Sequence, residues 1–237
     1  MPHDLLASAS FHQAQQDYWH HQRHRRRRHP DDPVIRAFVL PKITAIHSVA
    51  NLPPHPSVLD VGAGNGYFSA WWGREGDVTA VDYSPVILEG NPVEKKMVMD
   101  ARHLTFADGS FDLAFCNAVL HHIAKEDRVQ VVHEMARVSK RYVAIIEPNR
   151  WNPLMLGLSL MKKEERGGLR FSRSYVRSLM EQAGLRVISS CAWGALTPNR
   201  MPLAGLFLPF LGLLERKIPF GVVTITVGEK GIEKAEA

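Results

Sequence analysis

The residues in this chain with the greatest chemical capacity are acids that close short apolar runs. Asp60 ends Ser57-Val58-Leu59 and is followed by Val61, Gly62, Gly64 and Gly66. Asp82 ends Val78-Thr79-Ala80-Val81, and Asp100 with Ala101 ends Lys96–Met99. Asn117 follows the run Phe111–Cys116, and beyond it stand His121, His122, Glu147, Asn149 and Arg150. A glycine loop of this kind lets a ligand press against bare backbone, because glycine has no Cβ and accepts unusual φ. A helix starting just after it would present free N–H groups and a positive dipole end. Carboxylates at the next two strand ends could accept hydrogen bonds from ribose hydroxyls and from an adenine amine. Taken singly, Asp82 could equally be a helix cap and Asp100 a turn residue.

The spacing separates two ligand classes. A dinucleotide fingerprint reads G-x-G-x-x-G, with the third glycine allowing close helix–strand packing. Here the glycines read G-x-G-x-G, and Tyr67 stands where the third fingerprint glycine would be. Asp60 is also an odd neighbour for an anionic pyrophosphate. It suits a ligand with positive charge, such as the ammonium and sulfonium of S-adenosylmethionine.

The elements that must position these residues alternate strand and helix from Ser57 onward. Strands are expected over Val58–Val61, Val78–Asp82, Lys96–Met99, Phe111–Cys116, Tyr142–Ile146, Leu185–Trp193 and Val222–Val227. Helices are expected over Gly66–Gly73, after Ser84-Pro85, over Ile123–Val138 and from Ser172 or Ser174 to Ala183, with Gly184 as its stop. This order implies an α/β fold, a mainly parallel sheet with helices on both faces. Residues 1–56 form a basic lead-in that could cover the mouth of the site, and residues 57–237 form the ligand-binding domain. Within the lead-in a short helix is expected over Phe11–His24. The apolar periodicity of Val34–Val49 is helical but interrupted by Pro41.

Composition narrows the setting. The chain has 237 residues with a net charge of +5. Apart from Arg23, Arg25, Arg26, Arg27 and Arg28, the remaining 24 Lys and Arg balance 24 Asp and Glu, so the basicity belongs to one cluster. Such a cluster could meet nucleic acid or anionic lipid, or form a solvated arm. Cys116 and Cys191 lie in apolar strand-like runs, as suits a reduced cytoplasmic protein, and give no disulfide framework or metal signature. Met1–His12 lacks the layout of a signal peptide, and no apolar run reaches the roughly 18 residues of a membrane span.

Three segments together resemble the class I S-adenosylmethionine-dependent methyltransferases, particularly the ubiquinone/menaquinone-biosynthesis branch. They are Val58-Leu59-Asp60-Val61-Gly62-Ala63-Gly64-Asn65-Gly66, Val81-Asp82-Tyr83-Ser84, and Asp100 through Asp112, in which Thr105 replaces the family's usual proline. The resemblance covers about residues 57–147. It implies a Rossmann-like seven-stranded sheet with the last strand antiparallel. It also implies that Asp60, Gly62, Gly64 and Gly66 hold the methionine part of S-adenosylmethionine, Asp82 the ribose, and Asp100 and Ala101 the adenine, with Tyr83 a further cofactor-binding residue. Asn117 would border the reactive methyl.

Methyl transfer is an in-line displacement, so the protein must mainly align the nucleophile and exclude water. His122 could deprotonate an acceptor hydroxyl or acidic carbon, with Glu147 beside it and Arg150 facing an acidic acceptor group; equally, His121 and His122 could cap the next helix. Glu147–Pro153 is the expected wall on the acceptor side. The apolar stretch Met201–Phe220 could line a pocket for a lipid-like or aromatic small-molecule acceptor, touch a membrane surface, or form a plain hydrophobic cap. An RNA acceptor held by the arginine cluster is a weaker alternative, since Cys116-Asn117-Ala118-Val119 lacks the Asn/Asp-Pro-Pro-Tyr/Phe pattern of amino-group nucleic-acid methyltransferases. A non-catalytic S-adenosylmethionine-binding regulator is a third.

Overall fold

A computed structural model describes residues 28–197 and 205–231, together with Ala14 and Asp17. The helix expected over Phe11–His24 and most of the arginine cluster therefore fall outside the described residues.

The first described helix, α1 (Pro33–His47), is capped by the Asp32 carboxylate, which accepts from Val34 N at 2.8 Å, and Pro33 occupies its first turn. It passes through Pro41 unbroken. An internal proline costs about 3 kcal/mol, but α1 buries Val34, Ile35, Phe38, Val39, Ile43 and Ile46. At about 1.5–3 kcal/mol for each large apolar side chain, that burial outweighs the proline. The helix is thus part of the core that it shares with the sheet.

From Ser57 the chain follows the expected alternation. The strands are β1 (Ser57–Val61), β2 (Asp77–Asp82), β3 (Lys96–Val98), β4 (Phe111–Asn117), β5 (Ser139–Pro148), β6 (Leu185–Trp193) and β7 (Val223–Lys230). Between them lie α2 (Tyr67–Trp72), α3 (Pro85–Leu88), α4 (Arg128–Val138), α5 (Pro153–Met161), α6 (Arg173–Gln182) and α7 (Leu208–Leu213). One seven-stranded sheet has the order β3-β2-β1-β4-β5-β7-β6. β7 runs antiparallel to both neighbours, and the other pairings are parallel. One face packs on α1 and α2 through Phe38, Phe68, Trp72 and Phe115. The other packs on α4 and α6 through Val131, Met135, Val176 and Met180.

Parallel pairing places the carboxyl ends of β1, β2, β3 and β4 on one edge, since Val61 pairs with both Val81 and Cys116, and Asp82 with Val98. Much of the Leu104–Asp112 segment is scaffold. Arg137 donates to the carbonyls of Leu104 and Phe106, Glu134 accepts from Leu104 N, and the Asp112 carboxylate ties Ser57 N and Oγ to β4.

One expected boundary is corrected. The helix expected from Ile123 begins only at Arg128, because Ile123 and Ala124 are extended and a 3₁₀ turn follows. Arg128 anchors that turn by donating to the Ile123 carbonyl at 3.0 Å and lying over the Phe171 ring. Lys163–Arg170 forms a 3₁₀ segment. The helix cap at Ser172 is found as expected, accepting from Tyr175 N, and Gly184 stops α6 with φ +80°.

Candidate active site

The loop after β1 is held against β2 by its own backbone. Gly62 N and Ala63 N both donate to the Val81 carbonyl, at 2.8 and 3.0 Å. At Gly62 φ is +68°, and an added Cβ would stand 2.3 Å from Val119 Cγ2; at Gly66 φ is +81°, and a Cβ would stand 2.5 Å from Asn91 Oδ1. These two glycines are therefore required by backbone conformation and by close approach.

Three acids meet this loop in different electrostatic states. Asp60 is 2% exposed and accepts from Ser69 Oγ at 2.6 Å. Burial pushes its pKa up to about 7; the Asp82 charge adds to the rise and the Ser69 hydrogen bond opposes it. Asp82 is half-buried and accepts from Gly64 N and Ser84 N, both at 2.8 Å, one on each oxygen. A carboxylate at this strand end is a group of the kind that can accept from ribose hydroxyls. Asp100 is bound by its neighbour: Arg102 Nη2 donates to Oδ2 at 2.7 Å and Arg102 N to Oδ1 at 2.9 Å. Burial raises the Asp100 pKa, but the Arg102 hydrogen bonds and charge outweigh it and hold the group below the usual carboxylate range. Sequence reasoning assigned Arg102 no role, although its position two residues after the acid is the signal that would have found it.

After β4 the chain turns through Ala118 with φ +58°. Left-handed backbone at a residue with a Cβ is uncommon and tends to mark functional sites. The turn brings Asn117, His121 and His122 to the same edge as the acids. One cavity of about 350 Å³ is bordered by every predicted site residue except Gly66 and Glu147. Its lining also holds the apolar side chains of Phe38, Met155, Leu196 and Val223.

Glu147 was expected to act on the acceptor, and the structure places it elsewhere. It is fully buried, its Oε1 accepting from Val119 N at 2.9 Å and Leu120 N at 2.6 Å, and its Oε2 lying 2.7 Å from His121 Nδ1. It fixes the turn and orients His121. Burial pulls the His121 pKa down, but the Glu147 charge and hydrogen bond, reinforced by Glu165, push it up to about 9. His122, half-buried, stacks beside His121 with ring centroids 3.9 Å apart and borders the cavity. The expected acceptor wall is also redistributed. Asn149 donates to the Gly221 carbonyl and Asn152 caps α5, so from Glu147–Pro153 it is Pro148 that reaches the cavity.

A parallel sheet with a glycine loop after β1 and acids at the ends of β2 and β3 defines a Rossmann-like fold that binds an adenosine-containing cofactor at its strand ends. Comparison with known proteins shows what this arrangement is similar to. Residues 59–146 match the family described as methyltransferase domain. Among curated proteins, a 2-methyl-6-phytyl-1,4-hydroquinone methyltransferase of Synechocystis sp. is 32% identical over 125 residues, 46% of this chain and 39% of that protein. A malonyl-[acyl-carrier protein] O-methyltransferase of Buchnera aphidicola is 34% identical over 89 residues, 35% of each protein. The chain thus matches less than half the length of these relatives. In fold it is similar to a S-adenosylmethionine-dependent methyltransferase from Thermotoga maritima, with TM-score 0.63, 18% identity, and 84% of this chain and 91% of that one covered. A second, from Archaeoglobus fulgidus, has TM-score 0.60, 13% identity, and 80% and 92% coverage. The match at residues 59–146 and the likeness in fold agree with the Rossmann-like class that the strand order defines.

The cavity fits that cofactor on its own terms. The bare backbone at Gly62 and the acceptor capacity of Asp82 suit a ribosyl ligand approaching closely. Asp60 is a buried carboxylate that accepts from Ser69 Oγ and is poised near neutrality, and a ligand with an ammonium and a sulfonium would supply a cationic partner.

Proposed function

We propose that this protein transfers a methyl group from S-adenosylmethionine to a hydrophobic small-molecule acceptor. The observation that carries this reading is one cavity whose lining joins the glycine loop and strand-end acids to the apolar side chains of Phe38, Met155, Leu196 and Val223. When bound, S-adenosylmethionine supplies a methyl on a sulfonium that an incoming nucleophile can displace in line. Asp60 and the Gly62–Gly66 backbone hold the methionine portion, Asp82 and Tyr83 the ribose, and Asp100 and Ala101 the adenine. Asn117 and His122 stand on the acceptor side, and the apolar side chains exclude water from the reacting atoms. The quinol specificity in the name of the Synechocystis relative is of the same chemical kind. The test is to incubate the protein with isotopically labelled methyl donor and fractionated cell extract. Label is expected in the organic-soluble fraction; label in RNA would overturn the assignment and return the arginine cluster to the centre.

The acceptor is reached from a lipid surface. Leu160, Met161, Phe207, Phe210 and Leu213 are more than half exposed, on or beside the segments that build the acceptor half. Arg166, Arg170, Arg216 and Lys217 are exposed nearby, whereas Glu165 and Glu215 are buried. Exposed apolar side chains with exposed cations on the adjoining segments suit an anionic bilayer. No helix among the described residues is long and apolar enough to cross a membrane, so the contact is peripheral. Co-sedimentation with anionic but not zwitterionic vesicles is expected, and failure to sediment with either would refute it.

A further inference from the structure

His121 and His122 share the 3₁₀ turn Leu120–His122, and a third potential ligand reaches them from a distant segment. Glu165 lies on Lys163–Arg170, which packs on that turn so closely that a Cβ on Gly167 would stand 1.8 Å from the His121 carbonyl oxygen. Only glycine permits this approach, and it delivers the Glu165 carboxylate to the histidine pair. One ligand atom from each of the three side chains lies within 4.8 Å of the others, and His121 Nε2 is 3.5 Å from Glu165 Oε2. Two ligands at about 2.0–2.1 Å from a tetrahedral ion stand roughly 3.4 Å apart, so this pair already has the spacing of a coordination edge. The ring orientation is set as well. Glu147 cannot turn away, because Val119 N and Leu120 N hold its other oxygen, so His121 Nδ1 donates to it and Nε2 faces Glu165; an ion binding there would displace the Nε2 proton. A carboxylate behind one imidazole nitrogen is the usual outer partner of a metal-binding histidine.

We propose that His121, His122 and Glu165 bind one divalent transition-metal ion, with Glu147 as a positioning residue for His121. Two imidazoles and one carboxylate suit Zn²⁺, Fe²⁺, Co²⁺ or Mn²⁺ rather than Ca²⁺, and three protein ligands leave a position open. All three side chains border the cavity, so the open position faces it. Resting on the methyl-transfer reading, this names the acceptor more narrowly: a hydrophobic molecule with an oxygen that can bind the ion and lose its proton there. His122 is then a ligand and not a free base.

The test needs neither methyl donor nor acceptor, so its failure is distinct from failure of the methyl-transfer reading. Full-length protein is stripped with chelator and titrated with CoCl₂, reading visible d–d absorption and calorimetric stoichiometry. One tight Co²⁺ per chain is expected. Glu165→Gln, which keeps volume, and His122→Ala should each weaken it at least tenfold, and Glu147→Gln about 10–100-fold, with thermal melting reporting the fold of each variant. The lead-in histidines His20, His21 and His24 offer a competing site, and replacing all three by Ala should leave the tight site intact. Absence of tight Co²⁺ uptake, or uptake abolished by the lead-in substitutions and indifferent to Glu165→Gln, would overturn the proposal. Should His122→Ala unfold, X-ray absorption on the Co²⁺ form decides instead, two imidazole nitrogens supporting the site and none refuting it.

Discussion

Asp60 links donor binding to protons. Its folded pKa of about 7 stands well above the ordinary 3.8, because burial disfavours the carboxylate and Asp82 adds a like charge. In the proposed complex the donor's positive charge faces this group, so the form that binds is the ionised one. The apparent dissociation constant is then the intrinsic value divided by the ionised fraction. At pH 6, one unit below the pKa, about a tenth of the sites are ionised, and affinity should fall about tenfold, or about 1.4 kcal/mol. At pH 5 the loss approaches a hundredfold, and above pH 8 affinity is flat. Isothermal titration in two buffers of different ionisation enthalpy should show release of about one proton per donor bound at pH 6 and almost none at pH 8. Asp60→Asn should bind weakly at every pH, without proton release. The unliganded protein carries the converse signature. A carboxyl whose folded pKa is raised contributes stability that is full below about pH 4 and lost as pH rises through about 7, so the free chain should lose stability over that range and Asp60→Asn should not. Wild-type affinity that stays level from pH 5.5 to 8, with no buffer-dependent heat, would refute the reasoning.

Three further perturbations probe the frame. Gly62→Ala forces a Cβ to 2.3 Å from Val119 Cγ2 at φ +68°; a loss of about 1–3 kcal/mol by thermal melting and a donor affinity reduced more than tenfold are expected. Asp82→Ala removes the acceptor of Gly64 N and Ser84 N; at about 1.5–3 kcal/mol for a charged hydrogen bond, calorimetry should show at least a tenfold loss of donor affinity with the circular dichroism unchanged. Lys42→Met leaves Glu215 buried without the ammonium now 2.6 Å away; urea unfolding should report a loss of about 3–5 kcal/mol. Because Glu215 also holds Ala195 N and Leu196 N, adding Glu215→Leu should not restore that stability.

The glycine-loop edge of the cavity was legible in the sequence because local, consecutive chemistry builds it. A strand, its terminal acid and a glycine turn are written within ten residues, and parallel pairing carries the pattern from β1 to β2 and β3 without side-chain detail. The period of α1 was legible too, while the reading of Pro41 as an interruption failed because burial against the sheet outweighs a local penalty. The start of α4 was misplaced for a similar reason: Arg128 anchors the turn through Phe171 and Tyr175, more than 40 residues away.

The acceptor half is built in the opposite way. Phe38, Met155, Leu196 and Val223 come from four separate segments, and none has a spacing that marks it. Glu147 shows the consequence most clearly. Its place at a strand end made it look like a group facing substrate, yet the turn through Ala118 folds Val119 and Leu120 over it, and their N–H groups take the carboxylate. What it contributes to the surface of the cavity is the orientation of His121. Glu165 is a hidden counterpart, brought to the same histidine by the close packing of Gly167. In this protein the acids nearest the glycine loop act where the chain direction puts them, and those across the sheet act where tertiary packing turns them. Acceptor chemistry therefore depends on the second group, which only the folded arrangement exposes to view.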